Sequence, residues 1–466
     1  MTFTEYDFLL FFLLVFSAYW LLKRRAWQNA LLLVASYVFY AWVHPWYALL
    51  LGLSTLADYS LALGIDHNRA RTKFYVGLSL ALNLGVLAFF KYFNFFNDGL
   101  VNLLTSLGLR ADPLLAQILL PAGLSFYTLK KLAYLLDVSR GTLAPTSDLV
   151  GFALFVAFFP QITAGPMDRA QKLLPQIQTD RVWRADNFYQ AWPLIVMGFF
   201  KKLVIANMLG VAVDRVFSLK QPTLLLLAMA ALGYTIQIFA DFSAYTDLSR
   251  GIARLFGFDT SQNFNAPYLA LTPTDFWNRW HLTLSTWLRD YIFFPLRRAL
   301  LRARLPTWLT DALPPLVTML VSGLWHGAGW NFVLWGGYFG VLIVIYQALG
   351  LGASWKPTHW WTRALAWLVM FSLLMFSFLI FRSPSVEWLA TMFRTSPLVG
   401  SSDEAIAALI SLSVILCYAA PLIVKYFMDL KLRPDSNWQV LYYVAATVVT
   451  FVFVNAAQPD FIYFRF

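Results

Sequence analysis

Residues 317–340 read Val-Thr-Met-Leu-Val-Ser-Gly-Leu-Trp-His-Gly-Ala-Gly-Trp-Asn-Phe-Val-Leu-Trp-Gly-Gly-Tyr-Phe-Gly, and this stretch decides what kind of fold the chain can adopt. It holds no Asp, Glu, Lys or Arg. A run of this length and character matches the roughly 20 apolar residues that a helix needs to cross about 30 Å of hydrocarbon. Gly323, Gly327 and Gly329 let backbones approach closely. His326 stands among them with no charged residue nearby in sequence. An imidazole buried in such surroundings must be hydrogen-bonded or functional.

Outward from this stretch the same texture recurs. Apolar residues make up 59% of the chain and charged residues only 13%, about half the roughly 25% of soluble domains. Candidate spans fall at residues 7–22, 28–43, 46–64, 74–96, 149–164, 188–209, 222–245, 316–349, 360–381, 405–424 and 438–456, which predicts about eleven crossings. The expected fold is all-α and polytopic, with re-entrant or interfacial helices besides the spans. The first run is followed at once by Lys23-Arg24-Arg25, the reverse of a signal peptide's order. It is expected to persist as a helix whose basic end is cytoplasmic. Between Leu114 and Asp137, Pro121, Gly123, Lys130 and Lys131 interrupt the apolar pattern, as in a helix that is broken, re-entrant or lining a polar interior. No repeat or low-complexity tract is visible, and residues 1–466 read as a single integral-membrane domain.

The formal charge of +11 comes from 35 basic and 24 acidic residues. Its clusters (Lys23 to Arg25, Arg69 to Lys73, Arg297 to Arg304) sit where apolar segments stop, which is where cytoplasmic helix ends accumulate Lys and Arg. No nucleic-acid-binding motif accompanies them. A lone Cys417 provides neither a disulfide framework nor a thiolate metal site, and packing is its expected role.

Ionisable groups within apolar segments are costly and face partners or water. Asp241, Ser243, Tyr245, Asp247 and Arg250 are of this kind. Further on, residues 276–296 plotted at about 100° per residue place Trp277, Trp280, Leu284, Trp287, Leu288 and Tyr291 on one face. Asn278, His281, Ser285 and Arg289 fall on the other. Such a helix is expected along the interface or over a cavity. His44, His67 and His359 lie at predicted loops or helix ends, leaving His281 and His326 as the candidates for chemistry. They lack HxxxH, HExxH and cysteine spacing, so no metal site is expected. A Gly-x-Ser-x-Gly elbow and a P-loop are also absent. Buried imidazoles suit general acid–base work, since a neutral histidine can take the proton of a hydroxyl as it attacks an acyl carbonyl.

Five motifs then fall into a familiar order. They are Phe158-Phe159-Pro160-Gln161 with Ala164-Gly165-Pro166; Asp241-Phe242-Ser243; Asn263-Phe264-Asn265 with Pro267-Tyr268; Phe276-Trp277-Asn278-Arg279-Trp280-His281 with Leu288-Arg289-Asp290-Tyr291; and Gly323-Leu324-Trp325-His326-Gly327. In order and spacing they resemble the membrane-bound O-acyltransferase family, and the likeness runs to Phe461-Ile462-Tyr463-Phe464. Within the family the chain looks most like the bacterial alginate O-acetylation branch, with the teichoic-acid D-alanylation branch as a relative. Two places depart from the acetylation pattern: Asn207 stands where many relatives carry Asp, and Pro295-Leu296-Arg297-Arg298 replaces a Gly-Gly-Asn-Arg-like turn.

The resemblance implies a fold with a central tunnel, a catalytic histidine at His326 and a second, His281, close to the reaction centre. Asp241, Asn278, Arg289 and Trp325 are the expected substrate-binding or supporting groups. Arg297 and Arg298 are read first as positive-inside anchors and second as a dock for an anionic donor. The implied activity is transfer of a short acyl group, acetyl foremost, from a cytoplasmic thioester such as acetyl-coenzyme A or an acyl carrier protein. The implied acceptor is an extracytoplasmic hydroxyl on a polysaccharide or a periplasmic partner transferase. No permanently bound cofactor, no metal and no nucleic acid are expected, and the implied location is the bacterial cytoplasmic (inner) membrane. D-Alanyl transfer from a carrier protein to teichoic acid is the alternative within the class. A proton- or solute-coupled transporter is the alternative outside it, although the paired broken helices of such folds are not visible.

Overall fold

The computed structural model describes residues 1–108, 119–352 and 355–455, all helix, turn and loop with no strand among them. In hydrocarbon every backbone N–H and C=O must find its partner within the protein, which leaves the helix as the default for so apolar a chain. The described chain divides into two compact units: Met1–Trp192 with Leu248–Ser261, and Pro193–Asp247 with the chain from Gln262 onward.

The first unit contains α1 (Tyr6–Leu21), α2 (Arg25–Ala41), α3 (Pro45–His67), α4 (Thr72–Ser106), α5 (Leu124–Ser139), α6 (Leu149–Ala157) and α7 (Ala170–Gln178). Pro45 sits in the first turn of α3, where its missing N–H costs nothing. The Asp148 side chain caps α6 by accepting from the Gly151 N–H at 2.9 Å. Where the sequence suggests a helix that is broken, re-entrant or lining a polar interior over residues 114–137, residues 119–123 are loop and turn, and α5 runs unbroken from Leu124, buried along nearly its whole length with Lys130 and Lys131 inside. Residues 109–118 of that stretch lie outside the described residues. The buried α5 carries Lys131, 3.2 Å from Asp58 of α3, and the same carboxylate accepts from Ser79 at 2.5 Å and Asn83 at 2.8 Å on α4. The segment at 149–164 is not a span. Only the nine residues of α6 are helical, about 13 Å of rise against about 30 Å of hydrocarbon.

The chain continues through α8 (Ala185–Phe199), a π-helical stretch at Phe200–Ala206, α9 (Asn207–Phe217) and α10 (Leu224–Leu255). In the second unit follow α11 (Pro273–Trp277), α12 (Leu282–Leu288), a π-helical stretch at Arg289–Phe293, α13 (Phe294–Arg302), α14 (Thr307–His326) and α15 (Trp330–Ala348). Then come α16 (Trp360–Arg382), α17 (Val386–Thr395), α18 (Ser402–Lys431) and α19 (Asn437–Phe453). Ser401 and Glu404 form a reciprocal capping box at the start of α18. Among the described residues, seven helices are long and apolar enough to cross a membrane, and Tyr6–Leu21 and Asn437–Phe453 are shorter apolar helices. Length and composition thus do not reach the expected eleven crossings.

Two sequence expectations change in this unit. Residues 316–349, read as one span, are a hairpin of α14 and α15 that turns at Gly327–Gly329. The glycines explain its closeness: a Cβ on Gly323 would stand 2.2 Å from the Phe332 carbonyl oxygen, and one on Gly336 2.4 Å from that of Met319. The predicted amphipathic helix at 276–296 is interrupted at His281, which adopts φ 43°. Tertiary hydrogen bonds hold that break open. The Leu282 N–H donates to the Asn263 carbonyl and the Asn265 N–H to that of Arg279, both at 2.9 Å. The fully buried Asn263 side chain accepts from the Thr283 hydroxyl at 2.7 Å and donates to Thr246 of α10 at 3.3 Å.

Gly336→Ala should force the hairpin apart and cost about 1–3 kcal/mol, as overpacking does, measured by thermal unfolding in detergent. Gly337→Ala is the control, because its Cβ would meet only Leu320 at 3.8 Å. Equal melting of the two variants would refute the close-approach explanation.

Candidate active site

His326 is the last residue of α14, and the hairpin turn places it inside an aromatic enclosure. Its ring meets Trp325 at 4.8 Å, Trp335 of α15 at 5.1 Å and Phe381 of α16 at 5.2 Å, each close to edge-to-face. Asn331 closes the same corner by donating to the carbonyls of Phe381 and Ser383 at 3.3 and 3.2 Å. His281, 1% exposed, lies in the turn between α11 and α12, outside the spanning helices. Its ring is 4.6 Å from Phe242 of α10 and 6.0 Å from Trp325. Trp325 therefore touches both histidines, and the structure brings the two histidines that the sequence singles out together with one of the expected supporting groups. Desolvation by burial holds the His281 imidazole down at about 3. It is neutral at physiological pH and suited to hydrogen bonding rather than to carrying charge.

Asn278 and Arg289 do not join this cluster directly. They line a cavity of about 430 Å³ together with Trp277, Ser285, Thr318 and Gln347, among others. Arg289 is about half-exposed and lies 3.2 Å from the neighbouring Asp290 carboxylate. The Trp277 ring, in the cavity wall, meets Trp335 at 5.8 Å, so one indole separates the cavity wall from His326. Arg297 and Arg298 line neither cavity nor cluster. They sit exposed on α13, where Arg297 lies 3.4 Å from Asp311 and Arg298 donates to the Phe294 carbonyl. That placement agrees with an anchor at a membrane surface.

Asp241 is engaged by a group that the histidine-centred reading overlooks. Lys202 approaches it at 2.9 Å, while Lys201 reaches Asp247 at 2.6 Å and Ser243 at 2.9 Å. Both lysines lie on the π-helical stretch 200–206, a local widening that recurs at functional sites. They fix α10 on either side of Phe242, the ring that packs on His281. The signal was present in sequence as two lysines in one apolar segment and two aspartates in another, but the pairing depends on a helix register that periodicity does not report. Among the described residues no group of three His, Cys, Asp or Glu is arranged to hold a metal ion.

The fold is a polytopic helical bundle that buries two imidazoles around one indole beside a cavity. Residues 138–384 match the profile of MBOAT, the membrane-bound O-acyltransferase family, and the chain belongs to this family. It is 38% identical over 390 residues to the "probable alginate O-acetylase AlgI" of Pseudomonas aeruginosa, covering 83% of this chain and 73% of that protein. It is 31% identical to the peptidoglycan O-acetyltransferase of Helicobacter pylori, over 80% of this chain and 75% of the relative. Its identity to the teichoic acid D-alanyltransferase of Bacillus subtilis is 30%, over 56% of this chain and 68% of the relative. The chain is thus a multi-pass membrane O-acyltransferase.

Lys202→Met leaves a nearly fully buried carboxylate without its cation and should cost about 3–5 kcal/mol, whereas Lys202→Met with Asp241→Leu should regain most of that loss. Unfolding in mixed micelles would measure both. A double variant no more stable than the single one would show that the pair does not act as a unit.

Proposed function

We propose that the chain moves an acetyl group from a cytoplasmic thioester to a hydroxyl on the far side of the bacterial cytoplasmic (inner) membrane, the acceptor being a polysaccharide or a partner transferase. The observation that carries the reading is the pairing of His326 and His281 around Trp325 in a buried aromatic enclosure. The names of the relatives support acetyl as the acyl group, because the O-acetylating ones align over 80% or more of this chain and the D-alanyltransferase over 56%.

In this reading a nitrogen of His326 takes the proton of the acceptor hydroxyl as its oxygen attacks the thioester carbonyl carbon. The tetrahedral intermediate collapses with cleavage of the C–S bond, and the imidazolium returns the proton to the departing thiolate. The products are an ester and a free thiol. His281, held neutral, orients the reacting groups by hydrogen bonding. Trp325 fixes the distance between the two imidazoles, and Asp241, through Lys202, steadies the part of α10 on which His281 packs. Asn278 and Arg289 contact the donor within the cavity. Exclusion of water limits hydrolysis of the thioester.

His326→Gln should lower transfer from acetyl-coenzyme A by about 10²–10⁴-fold without changing the melting temperature. A folded variant that retains transfer would overturn the role of His326. Purified protein that transfers only from a D-alanyl carrier protein would replace acetyl by D-alanyl. Reversing Arg297 and Arg298 to Glu should raise KM for acetyl-coenzyme A if they dock its phosphates, and an unchanged KM would leave them as membrane anchors.

A further inference from the structure

Around His326 and the neighbouring cavity several buried polar atoms have no hydrogen-bond partner among the described residues. They are the indole N–H groups of Trp277 and Trp335 and the hydroxyls of Thr318 and Ser322. Burying such groups unpaired costs about 1–3 kcal/mol each, so a bound group that meets them is favoured by that amount. Three of them follow the geometry of the site. Thr318 lines the cavity, and Ser322, fully buried, follows one turn later. His326 comes one turn after that, so the three share one face of α14 at a spacing of four residues. Trp335 faces that end from α15, with its ring 5.1 Å from His326.

The chemistry of these atoms narrows what they can meet. An indole N–H donates and cannot accept, so Trp335, whose ring packs on the imidazole, requires an acceptor atom at its buried Nε1. The Asn331 amide at the same corner already donates to two backbone carbonyls. We propose that the Trp335 Nε1–H, assisted by the Ser322 hydroxyl, donates to the thioester carbonyl oxygen and stabilises the oxyanion that forms when the acceptor hydroxyl adds to the carbonyl carbon. This rests on the reading of His326 as the base. As the C–O bond forms, the carbonyl π pair moves onto that oxygen, and as the C–S bond breaks it returns, so the donors are needed most at the tetrahedral stage. Trp335 and Ser322 are therefore catalytic residues, whereas Thr318, two turns from His326, is a contact for the donor's chain.

The test uses the full-length chain in lipid nanodiscs, with thiol release from acetyl-coenzyme A in the presence of de-acetylated alginate oligosaccharide. Trp335→Phe keeps an aromatic ring against His326 and removes the N–H. It should lower kcat about 10²-fold with KM within about twofold of wild type, and Ser322→Ala should lower kcat in the same sense by a smaller factor. A Trp335→Phe protein with wild-type melting and undiminished kcat overturns the proposal, as does one that raises KM alone. His326→Gln assayed in parallel separates the two ideas: an inactive His326→Gln beside a fully active Trp335→Phe removes only the oxyanion assignment. An active His326→Gln removes the base and the proposal with it. A wild type that releases no thiol from acetyl-coenzyme A yet acylates the acceptor from another thioester overturns the donor reading on which both stand.

Discussion

The close approach of α14 and α15 is the constraint on which the rest of the site depends. Two backbones meet where Gly323 faces the Phe332 carbonyl and Gly336 faces that of Met319, at distances that leave no room for a Cβ. Between lipid-facing helices there is no hydrophobic drive to association, and packing must supply it through small residues and van der Waals contact. The same contact fixes the register of the hairpin. With α14 ending at His326 and α15 starting at Trp330, the imidazole faces Trp335, and α16 brings Phe381 across to close the enclosure. A side chain on either glycine would part the helices and open the site to water before touching any reacting group.

Buried charge adds a second order of constraint. An ion pair such as Lys202 with Asp241 gives little net stability over an apolar pair of similar volume, yet it strongly penalises any arrangement that separates its members. In an apolar unit that penalty acts as a specification of register. Lys201 and Lys202 point to different carboxylates of α10 from adjacent positions, and the wider π-helical turn is where those positions occur. Phe242 lies between the two pairs in sequence, and its ring faces His281. Within the first unit, Asp58 with Lys131, Ser79 and Asn83 fixes α3, α4 and α5 by the same means.

Much of this was legible in the sequence wherever one dominant physical term acts locally. Hydropathy alone predicts α3, α4, α16 and α18 to within several residues at most ends, because lipid leaves an apolar run no alternative to helix. His326 was legible for the complementary reason, as a polar exception in an uncharged stretch. The hairpin turn was legible only in part: Gly327 and Gly329 indicate close backbone approach, but with no charge or proline at residues 327–329 the stretch 316–349 reads as one span. The break at His281 was hidden because its cause is remote: Asn263 supplies both backbone and side-chain partners to the residues after it, and without them the pattern at 276–296 does favour one amphipathic helix. Asn278 and Arg289 were recognised as polar exceptions, but the cavity they share takes its other wall from α14 and α15, which only the folded hairpin provides.

The aromatic enclosure bears on catalysis as well as on water exclusion. In the proposed role of His326 as base, positive charge develops on the imidazole as the hydroxyl proton moves. Indole faces attract cations by about 0.5–2 kcal/mol and neutral groups far less. Trp325 and Trp335 both pack near edge-to-face on the His326 ring, so in the proposed reaction the charge would develop against aromatic walls instead of in bulk water. An interaction that strengthens only as charge develops lowers the barrier instead of tightening the ground state. A carboxylate in place of an indole would also stabilise the imidazolium, but it would raise the resting affinity of His326 for a proton and leave less of the base available.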